Sequence, residues 1–229
     1  MTSLFFPFPF FGGGGQPPFY HRTPDTVDFD VESESAVTKD TEDLKLAVAA
    51  NFGGIGAVIA HEITHGYDDQ GRKFDGDGNM NDWWTEDDTV LFKTKTDLMA
   101  GQTVDYLYVD TEDGDKEYRM NAKLTMGENL ADLGGLSLSL KALKKRLASA
   151  GVTGPAVNAN LSVALKAWAN VWKMSIKKDS RINRLTTDPH APTDFRGNLV
   201  NNMDEFYEIF DVKEGDKMYL APELRLRMW

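Results

Sequence analysis

The chain contains no cysteine. That excludes disulfides, thiolate metal sites and a cysteine nucleophile, and it leaves imidazole and carboxylate as the strong metal ligands. Basic residues are outnumbered: 25 Lys and Arg stand against 36 Asp and Glu, a formal net charge of −11 with no long basic run. A nucleic acid or an anionic membrane surface is therefore not an expected partner. No membrane span is expected either. The longest apolar stretch near a terminus, Leu4 to Phe11, is interrupted by Pro7 and Pro9 and has no basic residue before it. It is too short to cross a bilayer and makes a poor export signal, so it reads as an extended edge strand. With no export signal visible and no cysteine, a cytoplasmic location is expected.

Apolar residues make up 41% of the 229 positions, enough for one well-formed core. Residues 1–50 read as an extended, acidic and loop-rich segment, and residues 51–229 as a helical core. The break Gly12–Gly15 and the pair Pro17-Pro18 keep the first twenty residues extended, with acidic turns from Thr23 to Asp43. A helix is predicted from Leu44 through Ile55, Ile59 and Ile63 to Tyr67; its Gly53, Gly54 and Gly56 are poor helix formers that make sense where backbone approaches closely, so the helix is expected to be buried. Further helices are predicted from Thr85 to Tyr108, Thr125 to Ala150, Val157 to Ile176 and Met203 to Phe210, with a few strands near the N-terminus and before Leu124. The fold class is mainly α with a small β element.

Chemistry concentrates in two places. His61-Glu62-Ile63-Thr64-His65 lies within the first predicted helix. Residues four apart share a helix face, so both imidazoles can reach one cation. Glu62, on the neighbouring face, can reach a water on that cation without ligating it. Sixty-seven positions after His61 stands Glu128, with Asp132 four residues further on. One carboxylate completes a tetrahedron, and the other can accept an imidazole N–H, as Asp68 can three residues after His65. Two histidines, one glutamate and an open fourth position describe a catalytic zinc site rather than a closed structural one, with one Zn²⁺ per chain.

Several separated motifs agree in order. Asn51 to Gln70 around the two histidines, Asp82-Trp83-Trp84, Gly127-Glu128-Asn129-Leu130-Ala131-Asp132, Gln16 to Tyr20 and the terminal Met228-Trp229 together resemble the neprilysin family of zinc endopeptidases, which includes bacterial PepO-type oligopeptidases. The resemblance implies a thermolysin-like catalytic domain with the zinc motif on a central helix. It assigns His61, His65 and Glu128 as ligands, Glu62 as general base, and Asp68 and Asp132 as carboxylates behind the histidines. It makes His190, in Asp188-Pro189-His190, the donor to the transition-state oxyanion, and Arg196 a substrate-binding residue. Phe19, Val58, Val171 and Trp172 match a pocket for a bulky apolar residue after the scissile bond. Peptides are then the substrates. Family members carry a large preceding helical domain and an Asn-Ala-Phe-Tyr edge element that this sequence does not show. The expectation is a catalytic part that self-associates or lacks an N-terminal domain. The alternative is a weakly active or inactive metal-binding or interaction module. A separate candidate is a calcium loop at Asp75, Asp77, Asn79, Asn81 and Glu86, spaced as in an EF-hand but with Met80 where glycine is usual.

Overall fold

The computed structural model describes residues 40–228. The expected N-terminal strands, the acidic turns before Asp40, the Gln16–Tyr20 motif and Phe19 lie outside the described residues. Eight α-helices and one β-hairpin follow in chain order: α1 (Asp40–Asn51), α2 (Ala57–Thr64), α3 (Glu86–Val104), β1 (Leu107–Asp110), β2 (Lys116–Arg119), α4 (Met126–Ser149), α5 (Pro155–Val171), α6 (Lys178–Thr187), α7 (Thr193–Asn198) and α8 (Asp204–Phe210).

The long helix α4 is the centre of the fold. Leu130, Leu133, Leu136, Leu140, Leu143 and Leu147 are all buried, and every residue from Asn129 to Leu136 is out of solvent. Leucine at helical spacing gives α4 a wide apolar face at little conformational cost. Against it pack α2 and, through Leu161, Ala164, Leu165 and Trp168, α5. Leu226 and Met228 close the same core from the C-terminal end. A smaller cluster of Met120, Leu185 and Ala191 lies under the tyrosines of the hairpin. It supports the loop that carries His190.

Local signals explain where elements start. Thr85 accepts from the Asp88 amide while Asp88 accepts from the Thr85 amide, a capping box that begins α3. Pro155 opens α5, and Gly151, at φ +70, ends the α4 stretch in the left-handed region open to glycine. Several predicted bounds move. The first helix begins at Asp40, so Asp40, Glu42 and Asp43 are helical rather than loop. Helix α3 stops at Val104, and Tyr108 belongs to β1, paired with Tyr118 of β2. Helix α5 ends at Val171, with Trp172 as its cap and Val171 42% exposed, so the helix does not reach Ile176. Helices α6 and α7 went unpredicted. Helix α6 is polar (KDSRINRLTT) and α7 has six residues, so neither shows an apolar repeat long enough to read.

The largest correction concerns the first predicted helix. It is interrupted by a π-helical turn at Phe52–Gly56, where Gly54 leaves helical dihedrals (φ −94, ψ −105). It is also not buried all round. Gly53, Ala57, His61 and Thr64 face inward, whereas Ile55, Ile59 and Ile63 are 56–61% exposed. The small-residue face is buried because it admits neighbouring backbone. A Cβ on Gly53 would lie 1.8 Å from the Ala164 carbonyl oxygen of α5. By length and composition alone the run Leu46–Tyr67 could cross a membrane. Here α2 packs along α4, and its C-terminal end carries both motif histidines.

Candidate metal centre

The two histidines sit at the end of α2, where the helix tightens into a 3₁₀ turn, His65–Tyr67. Their rings lie edge to face, 4.6 Å between centroids. Each Nδ1 is committed to a carboxylate: His61 to Asp132 at 2.8 Å and His65 to Asp68 at 2.7 Å. Asp68 is itself fixed, because its other oxygen accepts the amides of Gln70 and Gly71. An imidazole that donates from Nδ1 presents the lone pair of Nε2. Both Nε2 atoms point at Glu128, at 3.3 Å for His61 and 3.7 Å for His65.

These distances fit a metal. Nitrogen and oxygen ligands at zinc bond lengths on tetrahedral corners lie about 3.3 Å apart. The three ligand atoms fall within 4.8 Å of one another, and no other group of histidine or carboxylate side chains among the described residues does so. Glu128 Oε2 is buried with no hydrogen-bond partner. A buried, unpaired carboxylate oxygen is costly, and a cation at this position satisfies it. The donor set, two neutral imidazoles and one carboxylate, suits zinc.

The electrostatics are those of a site suited to a cation. Burial works against a charge on His61, yet the hydrogen bond to Asp132 and the nearby Glu128 carboxylate outweigh it and raise its pKa to about 9. The hydrogen bond to Asp68 likewise raises His65 against the cost of burial. Burial pushes the Asp132 carboxyl up, but the Arg196 charge and the His61 hydrogen bond prevail and hold it below the usual aspartate range. Glu128 is lowered in the same way, burial being outweighed by the three surrounding histidines. A proton and a metal would compete for these imidazoles.

The third of those histidines is His190. Its Nε2 lies 3.4 Å from Glu128 Oε2, while Nδ1 is held by Asp188 at 2.9 Å. Asp188 also accepts the His190 amide and is anchored by Arg184 Nε at 2.6 Å. The prolines on either side of His190 thus frame an imidazole that a carboxylate aims at the centre. Asp188 had been assigned no role. Its signal was a carboxylate two residues before a loop histidine, a spacing that closes an Asx turn.

Arg196, read from sequence as a substrate-binding residue, is 7% exposed. Its Nε and Nη2 grip the two oxygens of Asp132 at 2.5 and 2.7 Å, and its guanidinium stacks 3.8 Å from the Trp172 ring centroid. Four groups therefore run in series: Trp172, Arg196, Asp132 and His61. Glu62 is exposed at the position next to His61. Of the remaining pocket residues, Val58 is half-buried. Val171 Cγ2 lies 4.0 Å from where Gly54 would carry a Cβ, one helical turn before Val58. A cavity of about 570 Å³ opens beside Trp172, walled by Met174, Ile176, Asp194 and Asn198. The candidate calcium loop does not gather its carboxylates. Asp75 instead accepts the amides of Asp77 and Asn79 and the side chain of Asn81, closing the turn on itself.

The family described as Peptidase family M13 matches residues 34–226, which include all of these side chains. The chain belongs to peptidase family M13. A neutral endopeptidase of Lactococcus lactis subsp. lactis is 40% identical over 187 residues, covering 81% of this chain and 27% of that protein. The crystal structure of the Mycobacterium tuberculosis zinc metalloprotease ZMP1 in complex with inhibitor is 42% identical, with a TM-score of 0.72, over 79% of this chain and 28% of that one. PEPO from Lactobacillus rhamnosis is 32% identical with a TM-score of 0.67. The chain thus spans about a quarter of the length of the family members it matches. The part of the M13 family it represents holds the His61, His65 and Glu128 cluster.

Proposed function

We propose that this chain is the catalytic part of a zinc endopeptidase that hydrolyses oligopeptides, holding one zinc ion through His61, His65 and Glu128. The observation that carries this reading is the convergence of the His61 and His65 Nε2 atoms on the two oxygens of Glu128, whose buried Oε2 makes no hydrogen bond. When bound there, zinc supplies a Lewis acid that polarises the scissile carbonyl and makes an attacking water more acidic. Asp132 and Asp68 keep each imidazole in the tautomer and orientation that offers Nε2. Glu62, next to the first ligand and free of ligation, takes the proton of the attacking water and returns it to the leaving amine. His190 donates from Nε2 to the oxyanion of the tetrahedral state, and Asp188 keeps its ring turned inward. Trp172, Val58 and Val171 favour a bulky apolar side chain after the scissile bond.

The test is cleavage of a short fluorogenic peptide by the chain, with zinc content measured on the same sample. The parent should cleave with about one zinc bound per chain. Glu62→Gln should keep the zinc and lose hydrolysis, since the carboxylate moves protons and coordinates nothing. A Glu62→Gln variant with parental turnover would refute the assigned base. A zinc-loaded parent that cleaves no peptide would leave the second reading, a metal-binding module. The 27% share of a relative's length spanned by this chain favours keeping that arm in the design.

A further inference from the structure

We infer that Gly135 is a positioning residue that sets the spacing of the metal centre, an inference that rests on the zinc reading above. Glu128, Asp132, Gly135 and Ser139 recur along α4 at intervals of four, three and four, so they share the face turned to α2. The buried residues Ala57, His61 and Thr64 recur at the same spacing on α2. At Gly135 the two helices meet backbone to backbone. A Cβ there would meet the His61 amide nitrogen at 2.5 Å, the Ala57 carbonyl oxygen at 2.7 Å and His61 Cα at 2.8 Å. All three are backbone atoms, so no side chain can swing aside. Next along the face, the Ser139 hydroxyl donates to the Phe52 carbonyl at 2.5 Å and ties the π-helical turn to α4.

The consequence reaches the ligands because both carboxylates stand on α4 and His61 on α2. Ordinary contact of a Cβ begins near 3.4 Å, so an alanine at 135 must push the His61 backbone away by about 0.9 Å, the difference from 2.5 Å. The His61 Nδ1 to Asp132 Oδ1 bond, now 2.8 Å, would open past hydrogen-bond range, and the gap from His61 Nε2 to Glu128, now 3.3 Å, would widen with it. A metal site tolerates ligand displacements of only about 0.2 Å. Losing the bond behind a ligating histidine typically weakens metal affinity about 10–100-fold. The glycine is thus required by the distance between ligands on two helices, beyond its part in packing.

Zinc affinity, measured on the full chain by competition with a chromophoric chelator, tests this without reference to activity. Circular dichroism and thermal melting of the metal-free proteins run beside it. Gly135→Ala should fold and bind zinc at least tenfold more weakly. Ala57→Val, a softer wedge at the same crossing, should do likewise and carries the test if Gly135→Ala does not fold. Gly53→Ala collides with α5 instead and should lower the melting temperature with zinc affinity kept in the folded protein. Asp132→Glu, one methylene longer, should weaken zinc binding in the parent and restore part of it in Gly135→Ala, a reversal that general destabilisation does not produce. A folded Gly135→Ala or Ala57→Val with parental affinity overturns the inference, as does an equal loss in Gly53→Ala. A parent that binds no zinc overturns the underlying metal reading and this inference together.

Discussion

Replacing Asp132 by asparagine keeps the shape of the most buried group at the centre and removes its charge. Asp132 is 1% exposed and its two oxygens accept three bonds, from His61 Nδ1 at 2.8 Å and from Arg196 Nε and Nη2 at 2.5 and 2.7 Å. Asparagine offers one oxygen and one NH₂, and every neighbour is a donor, so one orientation sets donor against donor at Arg196 Nε and the other at both His61 Nδ1 and Arg196 Nη2. In either orientation the buried Arg196 guanidinium loses the carboxylate it is bonded to and keeps only Glu128 Oε2, at 3.8 Å. Breaking a buried pair in this way costs about 3–5 kcal/mol. At a urea sensitivity of about 2 kcal/mol per molar, the lower figure moves the unfolding midpoint down by roughly 1.5 M. Zinc affinity should fall about 10–100-fold through loss of the bond behind His61. Urea denaturation of the metal-free chain and a chelator competition titration read the two effects separately. A midpoint within about 0.3 M of the parent, with parental zinc affinity, would show that the Arg196–Asp132–His61 series does not support the centre.

Four further outcomes follow from the structure. His190→Ala should lower the turnover number about a hundredfold or more while peptide binding changes little, because its donation strengthens only as the oxyanion forms; steady-state kinetics separating kcat from KM decide this. The metal-free chain should be more stable at pH 6 than at pH 9.5. The folded pKa of His61, about 9, lies above its ordinary value of 6.5, so the contribution is full below 6.5 and is lost as pH rises through 9, about 3 kcal/mol in all. Zinc binding should run the opposite way, weakening as pH falls because the proton and the metal compete for His61, which chelator titrations across that range would show. Finally, Ile55, Ile59 and Ile63 form an exposed stripe at helical spacing, so the chain should self-associate with rising concentration, and Ile59→Glu should reduce the scattering mass without altering zinc content.

Much of the centre could be read from local rules. Four-residue spacing on a helix is enough to pair His61 with His65 and Glu128 with Asp132, and three residues let Asp68 reach back to His65 across the turn. The capping box at Thr85 and Asp88 and the leucine face of α4 are equally local, so these elements lie close to where the pattern puts them. What misled was the first helix. Its glycines rightly marked a close backbone approach, but burial stops at the glycine and alanine face that meets α4 and α5, and the isoleucines stay exposed. Val171 and Trp172 were assigned to a helix that stops at Val171, because an amphipathic count does not register where packing ends a helix.

By itself the sequence determined the chemistry available: no thiolate, one His-Glu-x-x-His pair, and a second carboxylate pair on a leucine-rich helix. Tertiary structure alone decided that these pairs meet. It also decided that His190 joins them from a loop sixty-two positions beyond Glu128, and that Arg196 serves Asp132 before any substrate. The physical reason is range. Helical periodicity fixes neighbours within a turn or two, whereas the distance between α2 and α4 depends on the volume of every side chain at their crossing, and there the deciding volume is that of a missing methyl group at Gly135.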